Sequence, residues 1–449
     1  MFLLVKTTLS LPAIQLEAKN SDWIPFLAAL VWLIHPIQTQ SVTYVIQRMN
    51  SMSSMFYMLS LLAYVRGRLS AKSWRKATLF VIAFVAGAMA LLSKEIALTL
   101  PVFILIYDWY FLKDYKLDQF KKPVVLVFII VPLVLVLCFL YYGNITFHGI
   151  IKGYAVRDFT LVERLLTESR VLIFYLSLIM LPLPSRLNLD HDFLISTSAI
   201  SPPNTIFSII FLIFLLISAV LLFNNHKILS FGIIWFLGNL AIESTFVPLE
   251  IVFEHRLYLP STMLIFSLIY TTNNYLPYRH LKYALITVIA LFLLLSTYQR
   301  NQVWANPVSL WNDCVIKSPG KARVHNNFAV KLTEAGILPE KAEYHLLQAI
   351  RLKPNYSDAY NNLANLRWSQ RRFDEAIQLY SKAIELTPKN PIFHVNLGHS
   401  LVEKQRLQEA REQYRIAMDL APQNVEAKNS YYMVTRMIAE TWKKSTLDN

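Results

Sequence analysis

The sequence predicts an all-α protein with a polytopic helical membrane domain over residues 1–300, a linker over 301–320 and a solenoid of repeated helix pairs over 321–449. Two observations carry this prediction. The first part contains a series of uncharged apolar runs close to the roughly 17–25 residues that cross a bilayer. The last part repeats itself every 34 residues. The composition, 55% hydrophobic and 16% charged, excludes a disordered chain and a purely soluble protein.

The apolar runs predict about nine spans. They lie at 24–45, 51–66, 77–93, 96–112, 123–142, 205–223, 228–247, 257–273 and 281–298. We expect the first helix to end near Pro36, because proline and polar residues interrupt that run. A further run, 171–183, has only 13 residues and predicts a re-entrant or interfacial helix. A short tilted span is the alternative.

Charge predicts how the membrane domain is oriented. The net charge is +14, and most of the basic excess lies before residue 300, in loops that flank the apolar runs. The positive-inside rule places the basic loops at 66–76, 113–122, 227 and 279–282 in the cytoplasm. The loops at 37–50, 93–95, 143–204 and 248–256 then face outward. Charge distributed in this way indicates a membrane protein and excludes a nucleic-acid-binding surface.

The C-terminal repeat has the signature of tetratricopeptide repeats. Pro354, Pro388 and Pro422 are 34 residues apart, and Ala342, Ala376 and Ala410 follow the same interval. Small residues at fixed positions let paired helices approach closely, and this period is typical of tetratricopeptide repeats. The first of three copies begins near Val324 and has one inserted residue between its helices. Residues 425–444 are predicted to form a capping helix. The groove of such a solenoid binds peptides or proteins, and the predicted topology places it outside the cytoplasm.

Ionisable residues cluster in the loops predicted to face outward. Burial of an ionisable residue near a membrane is costly, so such residues are often functional. The candidates are His35, Arg48, Lys94, Glu95, Asp190, His191, Glu254, His255 and Arg256. Most have a simpler interpretation: a helix end at His35, a flanking charge at Arg48, helix caps at Lys94 and Glu95, and a solvated loop at 190–192. The adjacent residues 254–256 favour a functional site more strongly, because three ionisable groups enter an uncharged run together.

Clustered Arg, Lys and His at a membrane face suit a phosphate group attached to lipid. The sequence has only 10 glycines and no P-loop or dinucleotide-binding pattern, which argues against a soluble nucleotide donor. The two cysteines exclude a disulfide scaffold and a cysteine-rich zinc module. The sequence assigns no cofactor and leaves a divalent metal ion open.

Four strings, HPIQTQSV at 35–42, YVIQR at 44–48, LLSKE at 91–95 and EHRLYLP at 254–260, precede the repeats. In this order they resemble the transmembrane-and-tetratricopeptide-repeat protein O-mannosyltransferases and their bacterial relatives. The resemblance covers nearly the whole chain and implies a membrane glycosyltransferase of the GT-C type. It implies transfer of a sugar from a polyprenyl-phosphate donor to a protein hydroxyl outside the cytoplasm, with the repeats holding the acceptor. It also implies a bacterial inner membrane, with the repeats on the periplasmic side.

By this resemblance Arg48, Lys94, His255 and Arg256 would bind the donor phosphate and stabilise it as the leaving group. The remaining candidates would orient those cations or the sugar; they are His35, Glu95, Asp190, His191 and Glu254. The implied mechanism is inverting, with a carboxylate that deprotonates the acceptor hydroxyl.

The sequence departs from the family at the catalytic base. GT-C enzymes usually carry a catalytic Asp in the first outer loop, whereas only Glu17 and Asp22 precede Glu95 here, and neither lies in such a loop. Residues 1–11 resemble the end of a span that begins further upstream in family members. The catalytic residue is therefore unassigned, and we expect weak transfer, or none, without that loop. The alternative function is a catalytically incomplete membrane scaffold whose repeats recruit partners for envelope assembly.

Overall fold

The computed structural model describes residues 1–15, 23–112, 147–155, 157–276 and 278–447. It divides the chain into two compact units, Met1–Trp304 and Ala305–Asn449. The predicted all-α class is confirmed, since the described residues form helices and contain no extended pairing beyond one bridge between Ser198 and Ser201.

The first unit is a bundle of helices joined by short turns of 3₁₀-helix. Its α-helices are α1 Phe2–Leu9, α2 Pro12–Gln15, α3 Ile24–Leu33, α4 Thr39–Thr43, α5 Arg48–Leu69, α6 Ser73–Ser93, α7 Leu100–Tyr107, α8 Phe147–Tyr154, α9 Leu161–Met180, α10 Asn204–Leu222, α11 Lys227–Leu240, α12 Pro260–Tyr275 and α13 Arg279–Trp304. Helix α3 ends just before His35 and Pro36, as expected. One 3₁₀ turn, Glu254–Leu257, connects to α12 and carries the strongest predicted site residues.

Four helical segments of the described chain are long and apolar enough to cross a membrane. They are Ser73–Ser93, Glu95–Leu112, Asn204–Leu222 and His280–Trp304. Each coincides with a predicted span. Helix α10 also exposes large apolar side chains, among them Phe207, Val220 and Leu221, as a lipid-facing helix would. The predicted span at 123–142 lies outside the described residues, so the total of about nine spans remains a prediction.

The short apolar run at 171–183 forms the second half of a longer helix. Helix α9 begins at Leu161, where Thr160 and Glu163 form a capping box. At about 1.5 Å per residue, the 20 residues of α9 extend over roughly 30 Å. Its polar first half buries Arg164 and Glu168 against protein. The re-entrant or interfacial placement of this segment remains a prediction.

The second unit consists of paired helices. They are α14 Pro307–Lys317, α15 Ala322–Glu334, α16 Pro339–Leu352, α17 Ser357–Ser369, α18 Phe373–Leu386, α19 Pro391–Glu403, α20 Leu407–Leu420 and α21 Val425–Leu447. The predicted linker at 301–320 contains the end of α13 and helix α14, which packs Val308, Trp311 and Val315 against the first repeat.

The 34-residue period has a clear packing origin. Ala342, Ala376 and Ala410 are fully buried where the paired helices meet. A Cβ atom built on Gly398 would lie 2.5 Å from the Tyr414 ring, so this crossing has no space for a side chain. The turn between helices contains a left-handed residue in each repeat: Gly336, Arg371 and Gln405. The turn before α16 is one residue longer than the next, which accounts for the inserted residue of the first repeat.

Two histidine rings contact each other in the interior of the first repeat. From this pair we expect the stability of the repeat to depend on pH. Nδ1 of His325 lies 2.9 Å from Nδ1 of His345. Burial, with the nearby charges of His325 and Lys341, lowers the pKa of His345 from 6.5 to about 4. The folded repeat therefore favours neutral His345. Its contribution to stability is complete above pH 6.5 and falls as the pH drops from 6.5 towards 4, by about 1–3 kcal/mol in all.

Hydrogen exchange, corrected for the intrinsic effect of pH, measures this loss. Between pH 7 and pH 5 the protection of α15 and α16 is expected to fall relative to that of α17 and α18 in the same chain, which contain no histidine. The variant His345→Asn should remove most of the difference. Equal changes in both helix pairs would contradict the prediction.

Candidate functional site

The turn Glu254–Leu257 lies at the centre of a buried polar cluster. Glu254, His255 and Arg256 are 0%, 4% and 2% exposed. The sequence predicts that these residues act together, and the structure shows that each one contacts a different part of the membrane unit. They bring together the segments around 38–50, 187–191 and 243–253, with the end of α13.

Glu254 is held by groups from two other segments. Its Oε2 lies 3.2 Å from Nη2 of Arg300, and its Oε1 lies 3.0 Å from Nε2 of His191 and accepts a hydrogen bond from the backbone of Asn188. Burial alone would raise the pKa of Glu254, but the Arg300 charge and these hydrogen bonds hold it below its usual range. Glu254 is therefore ionised, and its two carboxylate oxygens contact Arg300 and His191.

His255 uses its backbone to hold the segment 40–50. Its N–H donates to Oε1 of Gln40 at 2.9 Å, and its carbonyl accepts from Nδ2 of Asn50 at 2.5 Å. Burial, with the charges of Lys94 and Arg256, moves the pKa of the imidazole well below 6.5. Nδ1 of this neutral ring makes no hydrogen bond with the described residues. His255 can therefore form one hydrogen bond with a ligand through Nδ1, but its neutral ring adds no positive charge to the cluster.

Lys94 belongs to the same cluster. Its Nζ lies 2.8 Å from Oε1 of Glu243 and 3.4 Å from Oδ1 of Asn50. Asn50 thus connects Lys94 to the backbone of His255. The Lys94 side chain is 12% exposed, whereas His255 and Arg256 are 4% and 2% exposed. Of the predicted phosphate-binding residues in this cluster, Lys94 is therefore the most accessible to a ligand.

Arg256 directs both terminal nitrogens of its guanidinium at the protein backbone. Nη1 donates to the carbonyl of Ile251 at 2.9 Å and Nη2 to that of Glu250 at 2.7 Å, while the guanidinium lies over the Phe253 ring. Its Nε has no hydrogen-bond partner among the described residues. Arg256 therefore shapes the preceding loop and places a buried positive charge beside the turn.

The other predicted residues divide into buried and exposed groups. His35 is buried, and both ring nitrogens serve the backbone: Nδ1 accepts from Ile37 and Nε2 lies 3.0 Å from the carbonyl of Ile179. Asp190 is buried next to His191. Arg48 and Glu95 are exposed, and Arg48 donates to the carbonyl of Val42. The described contacts place neither in the buried cluster.

Sequence reasoning missed the residue that organises the loop 243–253. Arg164, fully buried in α9, donates to the carbonyls of Glu243 at 2.6 Å, Thr245 at 2.9 Å and Leu249, and pairs with Glu168 at 2.9 Å. The four-residue spacing of Arg164 and Glu168 gives them one face of a helix. That spacing was the available signal, but both residues precede the apolar run that marked this segment.

The loop before Glu254 is held mainly through its carbonyl oxygens. Tyr154 donates to Phe246, Arg157 to Pro248 and Tyr175 to Phe253, each at 2.9–3.0 Å. With Arg164 and Arg256, these side chains bind eight carbonyls between 243 and 253. The loop therefore keeps a defined path without forming a helix or a strand.

The described residues contain no group of three or more His, Cys, Asp or Glu side chains that could hold a metal ion. Within that part of the chain, the cluster offers cations and already paired carboxylates, which suit an anionic ligand.

Comparison with known proteins supports the predicted resemblance. Two tetratricopeptide repeat models match residues 357–390 and 393–424. The chain is 24% identical over 360 residues to protein O-mannosyl-transferase F38B6.6 of Caenorhabditis elegans, covering 74% of this chain and 46% of that protein. It is 36% identical over 84 residues to human protein O-mannosyl-transferase TMTC1, covering 18% of this chain and 9% of that one.

Among solved structures, the first tetratricopeptide domain of Spaghetti (RPAP3) bound to an HSP90 peptide is 22% identical, covers 26% of this chain and 94% of that one, and has a TM-score of 0.26. The chain spans less than half the length of the two curated relatives. The repeat unit makes up about a third of the chain, so the nematode match must include much of the membrane unit. The chain is thus similar, across both units, to a protein O-mannosyl-transferase, and it carries tetratricopeptide repeats.

Proposed function

We propose that the chain forms part of a membrane glycosyltransferase that moves a sugar from a polyprenyl-phosphate donor to a protein hydroxyl, outside the cytoplasm. The repeats would hold the acceptor protein. The observation that supports this proposal is the buried cluster of Lys94, Asn50, His255 and Arg256, in loops expected to face outward. The similarity to protein O-mannosyl-transferases gives the reaction class. Both protein O-mannosyl-transferases compared above are animal proteins, which gives no support to a bacterial inner membrane. The predicted topology places the transfer outside the cytoplasm.

Lys94 is proposed to bind the donor phosphate. Its ammonium has three donors, and it already faces one carboxylate and one amide oxygen. A phosphate oxygen could replace the weaker 3.4 Å contact with Asn50. Arg256 lines the same turn, as does Nδ1 of His255, which has no hydrogen-bond partner among the described residues. A fixed positive charge beside the leaving phosphate stabilises the charge that develops as the glycosidic bond breaks.

The carboxylates of the cluster are proposed to hold cations rather than to act as the base. Glu168, Glu243 and Glu254 each lie within 3.2 Å of Arg164, Lys94 or Arg300. For Glu254, burial is outweighed by the Arg300 charge and hydrogen bonds, which hold its pKa low and make it a weaker base. For Glu168, burial dominates and raises the pKa to about 7. The proposal therefore assigns no catalytic base to Glu254, and it assigns Glu168 and Glu243 to holding cations on the ground of their contacts with Arg164 and Lys94.

Transfer of a labelled sugar tests the proposal. The chain would be placed in sealed vesicles with a polyprenyl-phosphate sugar and a Ser/Thr-containing peptide enclosed in the lumen. Lys94→Ala is expected to lower transfer about 10²–10³-fold, the typical effect of removing one preorganised stabilising group. Lys72→Ala, at an exposed lysine of a predicted cytoplasmic loop, should leave transfer unchanged. Product should form only on the peptide inside the vesicles.

Additional variants separate charge from folding. The double variant Lys94→Met/Glu243→Gln leaves no unpaired buried charge at this pair. If it is inactive in transfer but has normal thermal stability, the result would support a direct role of Lys94 in binding the donor phosphate. Transfer that survives both Lys94→Ala and Arg256→Ala would reject the phosphate site. Absence of transfer by the unmodified chain, with peptide binding by its repeats, would favour the scaffold function.

A further inference from the structure

The turn between α16 and α17 carries an asparagine that the packing of the repeats does not use. Residues 355–357 read Asn-Tyr-Ser. This is the Asn-x-Ser/Thr pattern, with x other than proline, at which an oligosaccharide is attached to the asparagine amide of secreted proteins. The other tripeptide of this kind in the chain, Asn-Ile-Thr at 144–146, lies outside the described residues. Such short patterns also occur by chance, so the structural setting of residue 355 decides its meaning.

Asparagines have a different role in the corresponding turns of the later repeats. Oδ1 of Asn390 accepts a hydrogen bond from the backbone N–H of Ile392 at 3.1 Å, and Asn424 caps the start of α21 in a similar way. The residue 34 positions before Asn390 is Tyr356, which precedes α17 and forms no side-chain cap. Asn355 therefore stands one position outside the capping register of the repeats.

Neither common structural reason for an asparagine in a turn applies to Asn355. Its side chain makes no hydrogen bond with the described residues. Its backbone also lies outside the left-handed region, which asparagine adopts more readily than most residues. Asn355 is exposed, so a group attached to its amide nitrogen would enter solvent without displacing a packed side chain.

Ser357, the third residue of the pattern, indicates when such an attachment would occur. It is the first residue of α17, and its Oγ accepts a hydrogen bond from the Thr387 hydroxyl at 2.9 Å. The pattern demands a hydroxyl at this position, so the enzyme that attaches the oligosaccharide needs access to it. In the folded repeat that hydroxyl already has a partner. Attachment would therefore precede the folding of this repeat.

We propose that Asn355 carries an N-linked oligosaccharide, added by a separate transferase while the repeats are synthesised into the compartment outside the cytoplasm. The amide nitrogen of Asn355 forms a bond to the anomeric carbon of a lipid-diphosphate-linked oligosaccharide and loses one proton. The bond from that carbon to the phosphate oxygen breaks, and the lipid diphosphate leaves with the electron pair. This glycan requires the repeats to face outward, as the basic loops predict, and does not require the chain itself to transfer sugar. A hydrated glycan would keep this turn in solvent.

Site mapping on the full chain expressed in animal cells tests this inference. An amidase that releases N-linked glycans converts the modified asparagine into aspartate, and digestion in heavy-oxygen water labels that aspartate. Mass spectrometry of the peptide that contains residues 355–357 should show the labelled aspartate at position 355. Recovery of this peptide with asparagine alone at position 355 would overturn the inference, whatever the folding of any variant.

Variants in the background of Asn144→Gln, which removes the second tripeptide, give an independent test. The amidase should lower the apparent mass of that protein by one glycan. Asn355→Gln and Ser357→Ala should each abolish this shift, whereas Ser357→Thr should keep it, because threonine supplies the same hydroxyl. Asn390→Gln is the matched control, since Pro391 follows that asparagine and the pattern excludes proline.

Two further outcomes would overturn the inference. A sugar on the Ser357 hydroxyl would survive the amidase and disappear in Ser357→Ala, with position 355 unmodified. A mass shift of the unmodified sequence that depends on Asn144 alone would show that Asn355 is not used. If a labelled sugar is transferred to the enclosed peptide while Asn355 carries no glycan, only this inference fails. If Asn355 carries a glycan and no sugar is transferred, only the proposed function fails.

Discussion

Replacement of Arg164 by methionine is expected to destabilise the membrane unit by about 3–5 kcal/mol, the usual cost of breaking a buried ion pair from one side. The guanidinium is fully buried, binds Glu168 and donates to the carbonyls of Glu243, Thr245 and Leu249. Methionine would leave the Glu168 carboxylate and these carbonyls without their donor inside the protein. Unfolding of the detergent-solubilised protein by heat, with proteolysis of the loop 243–253, measures the effect.

Arg157→Met is the matched control. Arg157 donates to the same loop, at the carbonyl of Pro248, but its ion pair with Glu250 is about 28% exposed on both sides. An exposed pair is worth roughly 0–1 kcal/mol. The double variant Arg164→Met/Glu168→Gln should regain part of the lost stability, because no unpaired carboxylate remains. Equal effects of Arg164→Met and Arg157→Met would contradict the prediction.

Glu254→Ala is the second change with a large expected effect, again about 3–5 kcal/mol. It removes one carboxylate from beside Arg300, which is 1% exposed, and it removes the acceptor for His191 and the Asn188 backbone. Glu254→Gln should cost less, because the amide oxygen still accepts a hydrogen bond. The double variant Glu254→Gln/Arg300→Met should show that the two changes are not additive.

An exposed carboxylate provides the comparison for Glu254. Glu409 pairs with Arg406 at 2.7 Å, and their side chains are 57% and 45% exposed. Glu409→Gln is therefore expected to change the stability far less than Glu254→Ala, because solvent screens an exposed ion pair. If the effects of Glu254→Gln and Arg300→Met in thermal or denaturant unfolding simply add in the double variant, the pair does not couple the turn to α13.

The repeats and the membrane helices could be predicted because each follows a local rule. Close helix crossings recur where Ala342, Ala376 and Ala410 are buried, so the interval between these residues encodes the fold. Apolar runs between charges likewise gave the four helices suited to a bilayer. The grouping of residues 254–256 was visible because three ionisable residues are adjacent in an apolar context.

The partners of these residues could not be predicted, because they depend on contacts between distant segments. Lys94 lies 2.8 Å from Glu243, a pair separated by almost 150 positions. Arg164 binds carbonyl oxygens, which every residue possesses and which leave no signal in a sequence. Histidine is a residue type that often binds ligands, but both ring nitrogens of His35 contact backbone groups. Residue type suggested chemistry, and only the fold showed which groups were already occupied.

The loop 243–253 has a consequence for how far the sequence can diverge. Arginine and tyrosine donors hold it by carbonyl oxygens, which survive any substitution, including proline, as Pro248 already shows. Side chains that face away from the cluster can therefore change while the path of the loop persists. Arg164 has no such latitude, because the single ammonium of a lysine cannot reproduce a planar group that reaches three carbonyls in different directions. Selection is therefore expected to conserve the arginine and tyrosine residues that bind the loop rather than the side chains of the loop itself.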